Sequence, residues 1–215
     1  MRHPWRTRVF ATVLTAAALT PALLGSVAVS ASPVNVLSQV TRSGTSAPAL
    51  PRIWFVGDSL AVGMRAAFGQ PGDVLTGFIG ARSSQVIPDA LHRLAQQPNT
   101  PRYAVVSLGT NNNRYALNTF SRDAQTFLNA TQDRCVVWLT IHRGTPRGNW
   151  NTLNAILIGL APRYPNLRLV DWNEYASFNG QSVSPDGIHP ASNAYPRLQD
   201  VIANTFAGCA ARTGN

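Results

Sequence analysis

Five short apolar runs alternate with stretches of helical periodicity between residues 53 and 210, and this alternation narrows the possible architectures more than any other feature of the chain. The first run, Ile53, Trp54, Phe55 and Val56, is bounded by Pro51 and Gly57, as a strand buried on both faces would be. Further strands are expected over residues 74–79, 103–108, 135–141 and 167–170. Between them, Phe120, Ala124, Phe127 and Leu128 recur at i, i+4, i+7 and i+8, which places an apolar stripe on one helix face. A last helix is expected over 191–210. Strands joined through helices pair in parallel, and the crossover helices cover both faces of the sheet. The expected fold is therefore α/β: a three-layer α/β/α sandwich with a mainly parallel, five-stranded sheet. In such open sheets a site lies beyond the carboxyl ends of the strands.

Length and composition bound the rest. A chain of 215 residues with 45% hydrophobic and 13% charged residues suits one globular domain with an appendage. Arg2, Arg6 and Arg8 precede an apolar stretch over 9–29, followed by Ser30, Ala31 and Ser32, the pattern of a secretory signal peptide. A stretch of about 20 apolar residues can also span a bilayer. Pro21 and Gly25 interrupt this one, however, and no basic cluster follows it. Residues 1–31 are therefore expected to be a signal, cleaved after Ala28 or Ala31, and the mature protein to be exported to the cell envelope or beyond without an integral span. Residues 32–51, rich in Ser, Thr, Pro and Ala, read as a linker, and 52–215 as the folded domain.

All 18 basic residues are arginine. Beyond the signal 15 of them face 9 acidic residues, a formal charge of +6. They are scattered from Arg42 to Arg212 without a run or an aromatic-interleaved stripe, so nucleic acid is not the expected partner. An anionic envelope surface is compatible with this charge. Cys135 and Cys209 are the only cysteines, and an exported pair is expected to form a disulfide. Neither CxxC spacing nor a histidine cluster is present, so neither metal nor cofactor is expected.

Three motifs fall at strand ends or loops. Gly57-Asp58-Ser59-Leu60 follows the first strand, where a serine can cap a helix or project its hydroxyl from a tight turn. Gly109-Thr110-Asn111 closes the third strand, and Asn111 can serve as a turn residue or present its amide at the sheet edge. Ser184-Pro185-Asp186-Gly187-Ile188-His189-Pro190 precedes the last helix. Its spacing lets one loop carry an imidazole that accepts a serine proton and a carboxylate that orients the imidazole. Singly these are ordinary turns; together, on neighbouring strand ends, they form a candidate for acyl transfer. The Ser…Asp…His order also occurs in α/β-hydrolases, but their Gly-x-Ser-x-Gly elbow is missing its second glycine here, where Ala61 stands.

Gly-Asp-Ser-Leu, Gly-Thr-Asn and Asp-x-x-His in this order resemble the SGNH, or GDSL-like, hydrolases over residues 53 to about 207. The resemblance implies Ser59 as nucleophile, His189 as general base and Asp186 as its orienting carboxylate. It also implies an oxyanion hole from the Ser59 N–H, Asn111 and a glycine within 76–84, with Gly80 chosen and Gly77 as the alternative. A finer resemblance is to the extracytoplasmic SGNH domains of bacterial cell-wall O-acetyltransferases. It rests on Arg147, Trp150 and Asn154 in an Arg-x-x-Trp-x-x-x-Asn segment and on Leu169-Val170-Asp171-Trp172. Trp150 and Trp172 can equally be core aromatics. His142, Arg143, Arg147, Asn149 and Trp150 become candidate substrate contacts on the loop after the fourth strand.

The function expected is that of a secreted, monomeric serine esterase acting on small acyl esters, such as O-acyl groups on envelope glycans or related carbohydrate and lipid esters. Transfer of the acyl group to a cell-wall sugar is the alternative, and a non-catalytic carbohydrate-binding domain a further one, which the intact Ser59, Asp186 and His189 argue against.

Overall fold

The computed structural model describes residues 48–112, 116–144 and 150–210. The expected signal peptide and most of the expected linker lie outside them. Five strands alternate with helices: β1 (Ile53–Gly57), α1 (Ser59–Phe68), β2 (Val74–Gly77), α2 (Ser83–Gln96), β3 (Tyr103–Ser107), α3 (Leu117–Ala130), β4 (Cys135–Leu139), α4 (Trp150–Leu160), β5 (Leu167–Val170), α5 (Trp172–Phe178) and α6 (Tyr195–Ala210). All strand pairs are parallel, in the order β2-β1-β3-β4-β5. The chain reverses its direction of travel across the sheet after β2, so β1 and β3 are adjacent and their carboxyl ends flank the switch point where such sheets place a site.

Alternate side chains of the strands feed two cores. On one face Trp54, Val56, Ala104, Val106, Val136 and Trp138 meet the apolar stripe of α3, and Phe120, Ala124, Phe127 and Leu128 are all fully buried there. On the other face Phe55, Val105, Val137 and Val170 meet α1, Trp172 and α6. Leu50 joins this second core, so packing begins slightly before the expected start of the domain at residue 52. This is the three-layer α/β/α sandwich, with a wholly parallel sheet.

Several expected boundaries move. Residues 78 and 79 were expected in the second strand, but β2 ends at Gly77, and Phe78 and Ile79 are exposed in the following turn. Their apolar character mimics a strand continuation that has no partner on β1, which itself ends at Gly57 opposite Gly77. The fourth strand ends at Leu139 rather than 141. The last helix is preceded by a 3-10 turn over Ser192–Ala194 and becomes α-helical at Tyr195. Cys135 and Cys209 are bonded, with Cα atoms 6.1 Å apart, and tie the start of β4 to the end of α6.

Candidate active site

The first strand delivers Ser59 to the sheet edge through Gly57 and Asp58. Asp58, and not Ser59, caps α1: its Oδ1 accepts from the Leu60 N–H at 3.0 Å, and its own N–H donates to Ser107 O at 3.0 Å. Ser59 is thereby the first residue of the helix, with its hydroxyl free for another partner. The Asp58 carboxylate is fully buried, and its Oδ2 has no hydrogen-bond partner among the described residues. Burial raises this carboxyl to about 6, against the lowering effects of the Leu60 N–H, the nearby Thr110 hydroxyl and His189.

That other partner is His189. Its Nε2 lies 2.7 Å from Ser59 Oγ, and its Nδ1 lies 2.5 Å from Asp186 Oδ2. The loop that holds them is self-bracing. Asp186 Oδ1 accepts from the N–H groups of Ile188 and His189, which leaves Oδ2 for the imidazole. Ser184 N–H donates to His189 O, and Gly187 turns through a left-handed conformation at φ +69°. The Gly144 N–H donates to Gly187 O at 2.6 Å, docking the loop against the chain that leaves β4. Desolvation pulls the Asp186 carboxyl upward, but the His189 side chain and the two N–H donors outweigh it and hold the carboxyl at about 2. Asp186 is thus ionised at neutral pH. With Asp186 accepting at Nδ1, the imidazole carries hydrogen on Nδ1 and offers the Nε2 lone pair to the Ser59 hydroxyl.

Asn111 lies in the turn after β3, partly buried, with its Nδ2 donating to Ala81 O at 3.1 Å. An amide nitrogen has two hydrogens, so this bond fixes the side chain and leaves one donor. The two candidate glycines differ in why they are glycine. Gly77 has φ +148°, and a Cβ there would overlap the Gly57 carbonyl, so strand packing accounts for it. Gly80 has φ +78° in an exposed turn where a Cβ would meet nothing within 4 Å.

A buried network behind this turn is not apparent from the sequence. Ser83, the first residue of α2 rather than its cap, donates its N–H to Asn112 Oδ1 and its hydroxyl to Asp123 Oδ2, and accepts from Asn112 Nδ2 at 2.8 Å. All three side chains are buried. The network joins the turn after β2 to the turn after β3, so Gly80 and Asn111 are held by one scaffold. The only sequence signal was the run of asparagines that follows Gly109-Thr110.

The candidate contacts after β4 separate. Arg143 donates to Thr110 O at 3.2 Å, and its guanidinium lies 4.7 Å from the Trp150 ring centre. Trp150 starts α4 and is partly buried against the core. His142, another candidate contact, is buried: its Nδ1 is 3.3 Å from Asn173 Oδ1, and its ring packs edge-on to Trp172. Arg147 and Asn149 lie outside the described residues. Asn154 is buried and accepts from the Ile141 N–H at 2.7 Å while donating to Ile141 O at 2.9 Å, which anchors the segment that carries Arg143. Trp172 is a core residue. Among the described residues no group of three or more His, Cys, Asp and Glu is placed to hold a metal ion.

No protein-family profile matches the chain. A Staphylococcus aureus protein named "Putative O-acetyltransferase" is 26% identical over 155 residues, covering 68% of this chain. The match spans only 24% of that relative. Among solved structures, the C-terminal catalytic domain of Streptococcus pneumoniae peptidoglycan O-acetyltransferase A superposes with a TM-score of 0.56 at 18% identity, covering 73% of this chain and 90% of the domain. A GDSL-like lipase from Bacteroides thetaiotaomicron superposes with a TM-score of 0.55 at 17% identity, covering 74% of this chain and 88% of the lipase. The fold of this chain, with Ser59, Asn111 and the Asp186–His189 loop on one edge of the sheet, is the fold of the SGNH, or GDSL-like, hydrolases.

Proposed function

We propose that this chain is an exported serine enzyme of the SGNH type that cleaves small acyl esters through an acyl-serine. The observation that carries the reading is the chain of contacts from Ser59 Oγ to His189 Nε2 and from His189 Nδ1 to Asp186 Oδ2, at 2.7 and 2.5 Å. In the first half-reaction His189 takes the hydroxyl proton as Ser59 Oγ bonds to the ester carbonyl carbon. The negative charge develops on the carbonyl oxygen, toward the N–H groups of Ser59 and Gly80 and the free hydrogen of Asn111 Nδ2. Collapse expels the alkoxide, which receives the proton from His189, and the acyl group stays on Ser59. In the second half-reaction His189 deprotonates water, which attacks the acyl carbon and regenerates Ser59 as the carboxylic acid departs. Asp186, ionised and held by two N–H groups, stabilises the imidazolium in both halves.

Arg143, fixed between Thr110 O and Trp150, is the best-placed candidate among the described loop residues for contact with a polar or anionic part of the substrate. Export rests on the N-terminal sequence and on the envelope enzymes that the chain resembles. Among the described residues no helix is long and apolar enough to cross a membrane.

Labelling with a fluorophosphonate tests the mechanism. A single adduct on Ser59 in the wild type, with none in Ser59→Ala, is expected. Absence of an adduct from wild-type protein that is folded by circular dichroism would overturn it.

A second reading, supported by the names of the S. aureus and S. pneumoniae proteins, replaces water by a sugar hydroxyl in the second half-reaction. Purified protein given an acetyl ester and a chitooligosaccharide acceptor would separate the two. Free acetate as the main product supports hydrolysis, and acetylated sugar as the main product supports transfer.

A further inference from the structure

At the opposite end of the sheet from Ser59, a cavity of about 530 Å³ opens beside the disulfide. Arg102 immediately precedes β3, Arg134 immediately precedes β4, and Arg168 is the second residue of β5. These are adjacent strands, so the three arginines stand along one edge, and all three line the cavity together with Asp133, Asn166, Tyr103, Pro165 and the Cys135–Cys209 bridge. Strands of about five residues at about 3.3 Å each put this edge roughly 16 Å from the catalytic one. The cavity is therefore a separate site.

Two buried polar atoms of residues that line this cavity have no hydrogen-bond partner among the described residues. The Arg134 side chain is only 8% exposed, and its Nε has no hydrogen-bond partner among the described residues. Its Nη1 reaches the exposed Asp133 carboxylate. The Asn166 amide nitrogen donates to the carbonyls of Leu128 and Thr131, but its Oδ1 is likewise unpartnered among the described residues. A buried guanidinium N–H and a buried amide oxygen each lose hydration without a replacement, and that cost is recovered when a ligand supplies an acceptor to the first and a donor to the second.

We propose that this cavity binds a phosphorylated polyol or sugar, with the phosphate on the arginines and a hydroxyl on Asn166 Oδ1. Arg102 and Arg134 outnumber the Asp133 carboxylate, and the Arg168 guanidinium stands beside them with its Nη1 donating to the Pro165 and Leu167 carbonyls, so the lining favours an anion such as phosphate. A tetrahedral group can address three guanidinium groups at once, whereas a carboxylate has two oxygens and is satisfied by one fork or two. The volume exceeds what a bare phosphate fills and lies in the range of small-ligand sites. Tyr103, Pro165 and the disulfide supply an apolar wall for the carbon skeleton of the ligand.

Calorimetric titration of the full purified chain with glycerol 3-phosphate, inorganic phosphate, glycerol and acetate tests this. Saturable one-to-one binding of glycerol 3-phosphate, tighter than that of inorganic phosphate and much tighter than that of acetate or glycerol, is expected. Arg134→Gln and Arg102→Ala should each weaken it by about tenfold or more, as loss of a charge-assisted hydrogen bond does. Arg122→Ala, which removes an exposed arginine of α3 outside the cavity, should leave it unchanged, and labelling of Ser59 should be unaffected throughout. No saturable binding, acetate binding as tightly as the phosphate, or an equal loss in Arg122→Ala would each overturn the proposal. Circular dichroism reports whether Arg134→Gln folds; if it does not, Arg102→Ala, at an exposed position, decides the question by itself.

Discussion

Ser59 Oγ and His189 Nε2 stand 2.7 Å apart although 130 positions separate the two residues along the chain. The sheet makes the meeting possible: Ser59 follows β1, an interior strand between β2 and β3, and His189 is on the loop that leads into α6, which packs against α1 in the same core layer. The Gly144–Gly187 bond then fixes how far the loop reaches over the edge.

Ser59→Ala and His189→Ala should each abolish nearly all turnover of p-nitrophenyl acetate, and the double variant should be no worse, because nucleophile and base act as a unit. Asp186→Asn should lower kcat by about 100- to 10,000-fold, since an amide favours the wrong imidazole tautomer. The comparison is made by steady-state kinetics on variants with unchanged circular dichroism. A double variant well below either single one would show independent roles.

Asn111→Ala should lower kcat by about 100- to 1000-fold with little change in KM, the loss expected for one oxyanion donor. Ser83→Ala tests the scaffold behind it. It removes the hydroxyl that donates to Asp123 and accepts from Asn112, leaving a buried carboxylate short of a donor. Chemical denaturation should show a loss of about 1–3 kcal/mol.

Asp58 sets a pH dependence of stability. Its folded carboxyl lies at about 6, above the ordinary value of 3.8, so the folded state holds its proton more tightly than the unfolded state does. The stability this contributes is fully present below about pH 3.8 and is lost as pH rises through about 6. Asp58→Asn keeps an oxygen for the Leu60 N–H and removes the buried charge. The stability of Asp58→Asn relative to wild type should therefore improve by on the order of 2 kcal/mol between pH 4 and pH 8, a difference in which pH-independent packing effects cancel. Urea denaturation at the two pH values measures it; a pH-independent difference would place the Asp58 carboxyl near its ordinary value.

The Cys135–Cys209 bond closes a loop with a sequence separation of 74. In the chain-entropy description, removing such a link costs about 4 kcal/mol, mostly through the unfolded state. The Cys135→Ser, Cys209→Ser double variant should show that loss in denaturant, and non-reduced, denatured wild-type protein should titrate with no free thiol.

The succession of strands and helices was legible in the chain because the signals are local. A period near two or a continuous apolar run marks each strand, and the 3.6-residue stripe of Phe120, Ala124, Phe127 and Leu128 marks α3. The proposed chemical groups were legible for the same reason, each sitting where a strand stops or a loop carries Asp and His three residues apart. Local pattern misjudged Phe78 and Ile79, since apolar residues beyond the last partner on β1 look the same in sequence as residues within the strand.

Local signals in the chain thus establish the order of the elements and the residue types at their ends. The strand order, the burial of His142 against Trp172, the bond from Asn111 to Ala81, the Ser83–Asn112–Asp123 network and the arginine-lined cavity at the far edge emerge only when the layers pack. These depend on pairings between residues tens of positions apart, and such pairings are chosen by the packing of whole layers, for which no short window of sequence carries a period.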